Sequence, residues 1–487
     1  MVNRALLGLI LLGPIVALAA LAVIFAAQIP YPGEINTFEG GLFDEVWRVV
    51  HGLPLYPAPS IDYVPFIYAP GFVWASAVLG LLTGLDLTTL RLVSALGTLL
   101  VLAALFAVVA RRSDWRWGVL AAGLYAACFA LGYGWYALGR VDNLALGLFC
   151  VGVWALEGRT TDLRRLAAAL LLAAAIWTKQ SMVIAMLPVL AWAAFSDRRL
   201  LVASLAVLIG CGAIPLFLWN GAAGGWVGFY TVAVGGQTTG EWPRVLGFVL
   251  TDLRALAIVM VLALLGMILR YRAPSAAPRL SLPLAAALGL VAAAWFSREF
   301  AAGWYNVLIP AFAAVAGAGA LGAQYLWQAA QLSPRAMALR SVLAGAIAVQ
   351  FVVLSYDARL YLPEPGAAAR LRAIQQQLGQ WARPLWLGGD GYLLCRPQGA
   401  DTLALTDLQF EPARHDQAVQ GEFRRRLNQG YYATVLVPDY AAVYWLPDLG
   451  EKYRLAMKLG EGAPRLALAS ADIPGQPTWP YWVFVRK

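Results

Sequence analysis

The chain has 487 residues, 61% of them hydrophobic and only 13% charged, with a net charge of +9. Soluble domains are about one quarter charged, so a soluble globular fold is excluded. In an apolar chain the positive balance reflects basic cytoplasmic loops rather than nucleic-acid binding.

In chain order, the run from Ala5 to Ala27 comes first. It is longer than a signal-peptide core and ends without a small-x-small cleavage site, so it reads as a retained first span. Further apolar runs follow, each near the ~20 residues needed to cross a bilayer as a helix. Arginines between them fall into groups: Arg111, Arg112 and Arg116; Arg159, Arg164 and Arg165; Arg198 and Arg199; Arg270, Arg272 and Arg279; Arg335 and Arg340. With Arg4 and a cytoplasmic N-terminus, the positive-inside rule puts all of them on one side, provided Pro65–Thr83 lies along the outer face instead of crossing. The resulting map has about eleven spans, roughly 5–28, 89–110, 117–137, 142–157, 164–177, 181–195, 200–219, 249–269, 280–296, 304–323 and 337–355.

After Tyr356 the composition changes. Charges return, and "PLWLGGDGYLLC", "YATVLVP" and "YWVFVRK" have strand length, with a polar helix over roughly Glu411 to Gln429 between them. The expected fold is an α-helical polytopic membrane protein with outer-face juxtamembrane helices, plus a small C-terminal α/β domain. The membrane part spans 1–355, with a long periplasmic first loop at 29–88, and the periplasmic domain spans 356–487. Cys128, Cys150 and Cys211 lie in apolar segments and Cys395 stands alone, so neither a zinc site nor a disulfide framework is indicated.

Charge at membrane depth points to function. "GYGWYALGRVDNLALGLFCVGVW" sets Arg140 and Asp142 between apolar runs, and "IWTKQSMV" does the same for Lys179 and Gln180. "WFSREFAAGWYN" adds Arg298 and Asn306 at a later outer turn. Guanidinium groups bind phosphate in a bidentate way and a lysine adds a point charge, so Arg140, Lys179 and Arg298 together suit an anion site. The first loop, "NTFEGGLFDEVWRVVHGLPLY", contributes Glu39 beside paired glycines, with Asp44 in the helix that follows; "VPFIYAPGFVW" contributes Tyr68.

These pieces, in order over most of residues 30 to 320, resemble the GT-C superfamily of polyprenyl-phosphate-dependent glycosyltransferases. Within it they are most similar to bacterial lipid A aminoarabinose transferase and the rhizobial galacturonosyltransferases. The resemblance implies a multi-pass protein of the bacterial inner membrane that moves a sugar from a polyprenyl-phosphate donor to a glycan, lipid or protein acceptor at the outer face. It makes Glu39 and Asp142 the catalytic acids, with Glu39 as the base, and gives the phosphate to Arg140 and Lys179. Gln180, Arg298, Asp44, Tyr68 and Asn306 are further candidates for substrate binding. One departure stands out: many relatives carry an Asp-Glu pair in the first loop, where Phe38 precedes Glu39 here. No cofactor is established. Oxygen ligands from Glu39 and Asp142 would suit Mg²⁺ or Mn²⁺, but no DxD motif is present. The alternative is a transporter or flippase for a lipid-linked sugar; transporters often show repeated halves, and no repeat is visible in this chain.

Overall fold

The computed structural model describes the chain apart from residues 1, 37, 61–62, 159, 234–239, 241, 273–280, 300–302, 379–380, 388–399, 402–417, 439–448 and 460–480. Thr37, Asp62, Arg159, Arg279, Cys395 and the "GGDGY" turn therefore lie outside the described residues.

Helix α1 (Val2–Gln28) is followed by α2 (Phe38–Val50) and α3 (Gly71–Thr83) in the first loop. Then come α4 (Leu87–Arg112), α5 (Trp115–Ala127), α6 (Val141–Ala155), α7 (Asp162–Thr178) and α8 (Met182–Ser196). The membrane part continues with the helical stretches α9 (Arg198–Ala222) and α10 (Trp242–Arg272), then α11 (Leu282–Glu299), α12 (Ile309–Gln331) and α13 (Ala336–Val353). Among the described residues, six helices are long and apolar enough to cross a membrane. Side-chain caps set several starts: the carboxylates of Asp86, Asp114 and Asp197 accept from backbone N–H groups in the first turns of α4, α5 and α9, and the Thr161 hydroxyl does so for α7. Helix α3, at 13 residues, is one of the shorter apolar helices, together with α6 and α8 at 15 residues each.

One expected span differs. Helix α5 stops at Ala127, and the backbone from Cys128 to Arg140 runs as buried turns instead of continuing helically to residue 137. Buried irregular backbone must find partners inside the protein, and here neighbouring helices supply them. Asn143 Nδ2 donates to the Trp135 carbonyl (2.9 Å), Thr98 Oγ1 to that of Tyr136 (2.6 Å) and Ser94 Oγ to that of Arg140 (2.7 Å). Polar residues in the apolar α4 run thus hold the turn that carries Arg140. Gly97 lets α4 approach closely enough: a Cβ there would lie 2.4 Å from the Asn143 backbone.

The tail begins with a helical turn, Ala358–Tyr361, whose Tyr361 carbonyl accepts from Gln28 Nε2 at the end of α1 (2.9 Å). Helix α14 (Ala367–Leu378), strands β1 (Leu385–Leu387) and β2 (Ala400–Asp401), helix α15 (Ala418–Asn428), and strands β3 (Thr434–Pro438), β4 (Tyr453–Leu459) and β5 (Tyr481–Arg486) complete it. The sheet order is β2-β1-β3-β5-β4, with β1 parallel to β2 and β3 and the other pairs antiparallel. Three of these strands fall in the three apolar stretches expected to be strands; β2 and β4 lie outside them, although "YRLAMKL" alternates, with Tyr453, Leu455, Met457 and Leu459 at every second position.

Candidate active site

The structure gathers Arg140, Asp142, Lys179 and Asn306 at one end of the bundle, where α6 begins, α7 ends and α12 is about to start. Asp142 is buried in the first turn of α6, where an acid suits the positive end of the helix dipole. Its Oδ1 accepts from Lys179 Nζ at 2.6 Å and from Asn306 Nδ2 at 2.9 Å, while Oδ2 has no hydrogen-bond partner.

Arg140 is only 1% exposed. Its guanidinium carbon lies 4.8, 5.1 and 5.0 Å from the ring centroids of Phe38, Tyr68 and Trp135, and Nη2 donates to Tyr68 Oη at 2.7 Å. Its Nε and Nη1 have no partner. Aromatic faces stabilise a desolvated cation by up to about 2 kcal/mol. They leave its in-plane donors unfilled, and buried N–H groups of a cation are costly to leave so. An anion with several acceptor oxygens is the species that satisfies them.

Arg298 sits apart from this group. It grips Asp252 through Nε (2.9 Å) and Nη2 (3.2 Å) and stacks on Tyr305, its carbon 4.6 Å from the ring centroid. Since Tyr305 adjoins Asn306, Arg298 supports the turn that reaches Asp142; the reading of Arg298 as a free phosphate ligand gives way to an ion pair with Asp252. Gln180 is likewise engaged, donating to the carbonyls of Ile67 (2.5 Å) and Thr231 (3.1 Å) and accepting from Ala69 N (3.3 Å). It ties the first loop beside Tyr68 to α8. Asp44 is buried on α2.

Glu39 has surroundings unlike those of an available base. Oε1 accepts from Arg91 Nε (2.9 Å) and Gly139 N (2.8 Å); Oε2 accepts from Arg91 Nη2 (2.7 Å) and Ile35 N (2.8 Å). A carboxylate offers about four acceptor positions, and all four are taken. Both side chains are fully buried. Burial pushes the Glu39 pKa up, but the Arg91 charge and these hydrogen bonds outweigh it and hold the group below its ordinary value. The remaining donors of Arg91 go to the carbonyls of Gln28 (3.0 Å), Tyr31 (2.5 Å) and Gly33 (2.5 Å). The pair thus clamps the start of the first loop onto α4 and onto the turn preceding Arg140. With Glu39 saturated by donors, it cannot share a divalent ion with Asp142, and no group of three or more potential metal ligands occurs among the described residues.

Arg91, Trp135 and Asp252 escaped the sequence reading, and Phe38 enters it only as the residue that precedes Glu39. For Arg91 the signal was present, as a lone arginine inside an apolar run.

Comparisons with known proteins bear on this arrangement. A crystal structure of ArnT from Cupriavidus metallidurans bound to undecaprenyl phosphate superposes with a TM-score of 0.57 at 14% identity, covering 96% of this chain and 97% of that one. The chain has the GT-C fold of ArnT. The apo structure of the same protein gives a TM-score of 0.55 at 15% identity over the same shares of both chains. The Archaeoglobus fulgidus oligosaccharyltransferase in the apo form is matched at 13% identity and a TM-score of 0.47, over 94% of this chain and 75% of that one. The family described as dolichyl-phosphate-mannose-protein mannosyltransferase matches residues 67–220, a stretch that contains Arg140, Asp142 and Lys179. No curated protein matches. The GT-C resemblance drawn from the sequence therefore agrees with the fold.

Proposed function

We propose that the protein is a multi-pass membrane glycosyltransferase that moves a sugar from a polyprenyl phosphate to an acceptor at the face carrying the first loop and the tail, with inversion at the anomeric carbon. The observation that carries this is the buried Arg140 guanidinium, with two open donors, in one cluster with Lys179 and Asp142. A polyprenyl-phosphate donor fits the fold match to a structure holding undecaprenyl phosphate and the family match to a dolichyl-phosphate-mannose enzyme. With Arg4 and the arginine groups in the cytoplasm, this face is the outer one of a bacterial inner membrane.

In the proposed step the acceptor oxygen attacks C1 opposite the phosphate, and its proton passes to Asp142 Oδ2. Lys179 and Asn306 hold Oδ1, which aims Oδ2; such general-base help is worth ~10²–10⁴-fold. The C1–O bond to phosphate breaks with its electron pair going to the phosphate. Arg140 and Lys179 stabilise the charge that grows there, more in the transition state than before it. Glu39 becomes a positioning residue, acting through Arg91 and Gly139. Purified protein given a radiolabelled polyprenyl-phosphate sugar should pass label to an acceptor extract, and Asp142→Asn should lower that rate ~10²-fold or more. Full activity in Asp142→Asn would remove it as the base; absence of any transfer by the wild type would remove the enzyme reading.

A further inference from the structure

A cavity of about 250 Å³ lies between α4, α6, α10, α11 and α12. Its rim and the cluster lie at opposite ends of the same helices: Arg112, at the rim, ends α4 roughly 30 Å from Arg91 in the early part of that helix, while the deep wall at Phe149 and Ala313 is roughly 10 Å of helix rise from Asp142 and Asn306. Asp142 opens α6 and the cavity residue Val153 is near its end; on α11 the order reverses, from Pro283 at the cavity to Arg298 near the site.

The deep wall is apolar, with Phe149, Ala314 and Gly317 among its residues, while polar groups collect at one rim: Arg112, Arg270, Tyr271 and Ser281. Water needs two to four polar partners to occupy a cavity, and the only polar side chain among the deep lining residues is the weak Cys150 thiol. A hydrocarbon chain suits it. The rim suits an anionic headgroup: Arg270 is exposed at the end of α10, and beside it Arg112 is held by Glu157 through Nε (3.0 Å) and Nη2 (2.9 Å), which leaves Nη1 outside that pair. Basic pockets between membrane helices hold anionic lipid headgroups in this way.

We infer that this groove is a binding site for one anionic glycerophospholipid, with an acyl chain between α4 and α12 and its phosphate at Arg270 and Arg112. Gly317 leaves room for the chain: a Cβ there would meet only Leu105, at 3.3 Å, so a larger side chain projects into the groove. The test is native mass spectrometry of the full chain released from nanodiscs of mixed phosphatidylglycerol and phosphatidylcholine, with stepwise removal of lipid. The wild type should keep one phosphatidylglycerol after the others have left. Gly317→Leu and Arg270→Gln should each lower that retention at least tenfold while the polyprenyl-phosphate transfer rate stays unchanged. Equal retention of the two lipids, unchanged retention in both variants, or displacement of the retained lipid by added polyprenyl phosphate would each overturn the assignment. Should Gly317→Leu fail to fold, the rim variant Arg270→Gln decides alone.

Discussion

Replacing Arg91 by Met removes the only described ion-pair partner of Glu39 and leaves a carboxylate at 0% exposure with just the Gly139 and Ile35 backbone N–H groups as donors. Breaking a buried pair from one side costs about 3–5 kcal/mol, because the remaining charge is stranded. The loss of the Gln28, Tyr31 and Gly33 contacts adds to it. The pH dependence carries a sign. In the wild type the folded pKa of Glu39 lies below its ordinary value of 4.5, so the pair stabilises fully above that value and fades only as the pH falls through the folded pKa. In Arg91→Met, burial acts without the opposing charge and pushes the pKa up, so the stranded group is relieved by protonation as the pH drops. The stability gap between the two proteins should therefore be widest at neutral pH and should narrow toward pH 4–5. Denaturant unfolding in lipid–detergent micelles across that range reads it directly. Combining Glu39→Gln with Arg91→Met should recover a good part of the loss, as coupled residues do. A Glu39→Gln protein with wild-type stability and turnover cut a hundredfold would refute the clamp and restore Glu39 as the base.

Two further outcomes follow from the packing. Phe38→Asp sets a carboxylate where a ring centroid now lies 4.8 Å from the Arg140 guanidinium carbon; it should occupy the open donors and weaken polyprenyl-phosphate binding at least tenfold, and unchanged affinity would contradict the open-donor reading. Gly97→Val forces side-chain atoms into the backbone of Asn143 and should cost about 1–3 kcal/mol in unfolding measurements, with reduced turnover because Asp142 is the next residue; wild-type stability would show that α4 and α6 do not meet as described.

Much of this was legible in the sequence because apolar length and arginine placement are one-dimensional signals. Helices α1, α4 and α6 to α13 sit where the runs predicted, and Arg140, Asp142, Lys179 and Asn306 lie together at one end of the bundle. What stayed hidden depends on three-dimensional partners. The turn from Cys128 to Arg140 reads as a continuing span because its residues are apolar, and its backbone partners, Ser94 and Thr98, lie some forty positions away in another helix. Glu39 looked like a free acid because its partner Arg91 is 52 residues distant. The sequence offers Arg298 its neighbour Glu299 as an ion-pair partner, whereas the structure pairs it with Asp252, 46 residues before it.

The central claim is that a caged guanidinium and a neighbouring ammonium hold a lipid-linked phosphate, and the direct measurement is the Kd of unsubstituted polyprenyl phosphate for the wild type, Arg140→Met and Lys179→Met in nanodiscs. A hydrogen bond to a charged group is worth about 1.5–3 kcal/mol, so each variant should bind roughly ten- to a hundredfold more weakly. Wild-type affinity in both variants would mean the phosphate is held elsewhere.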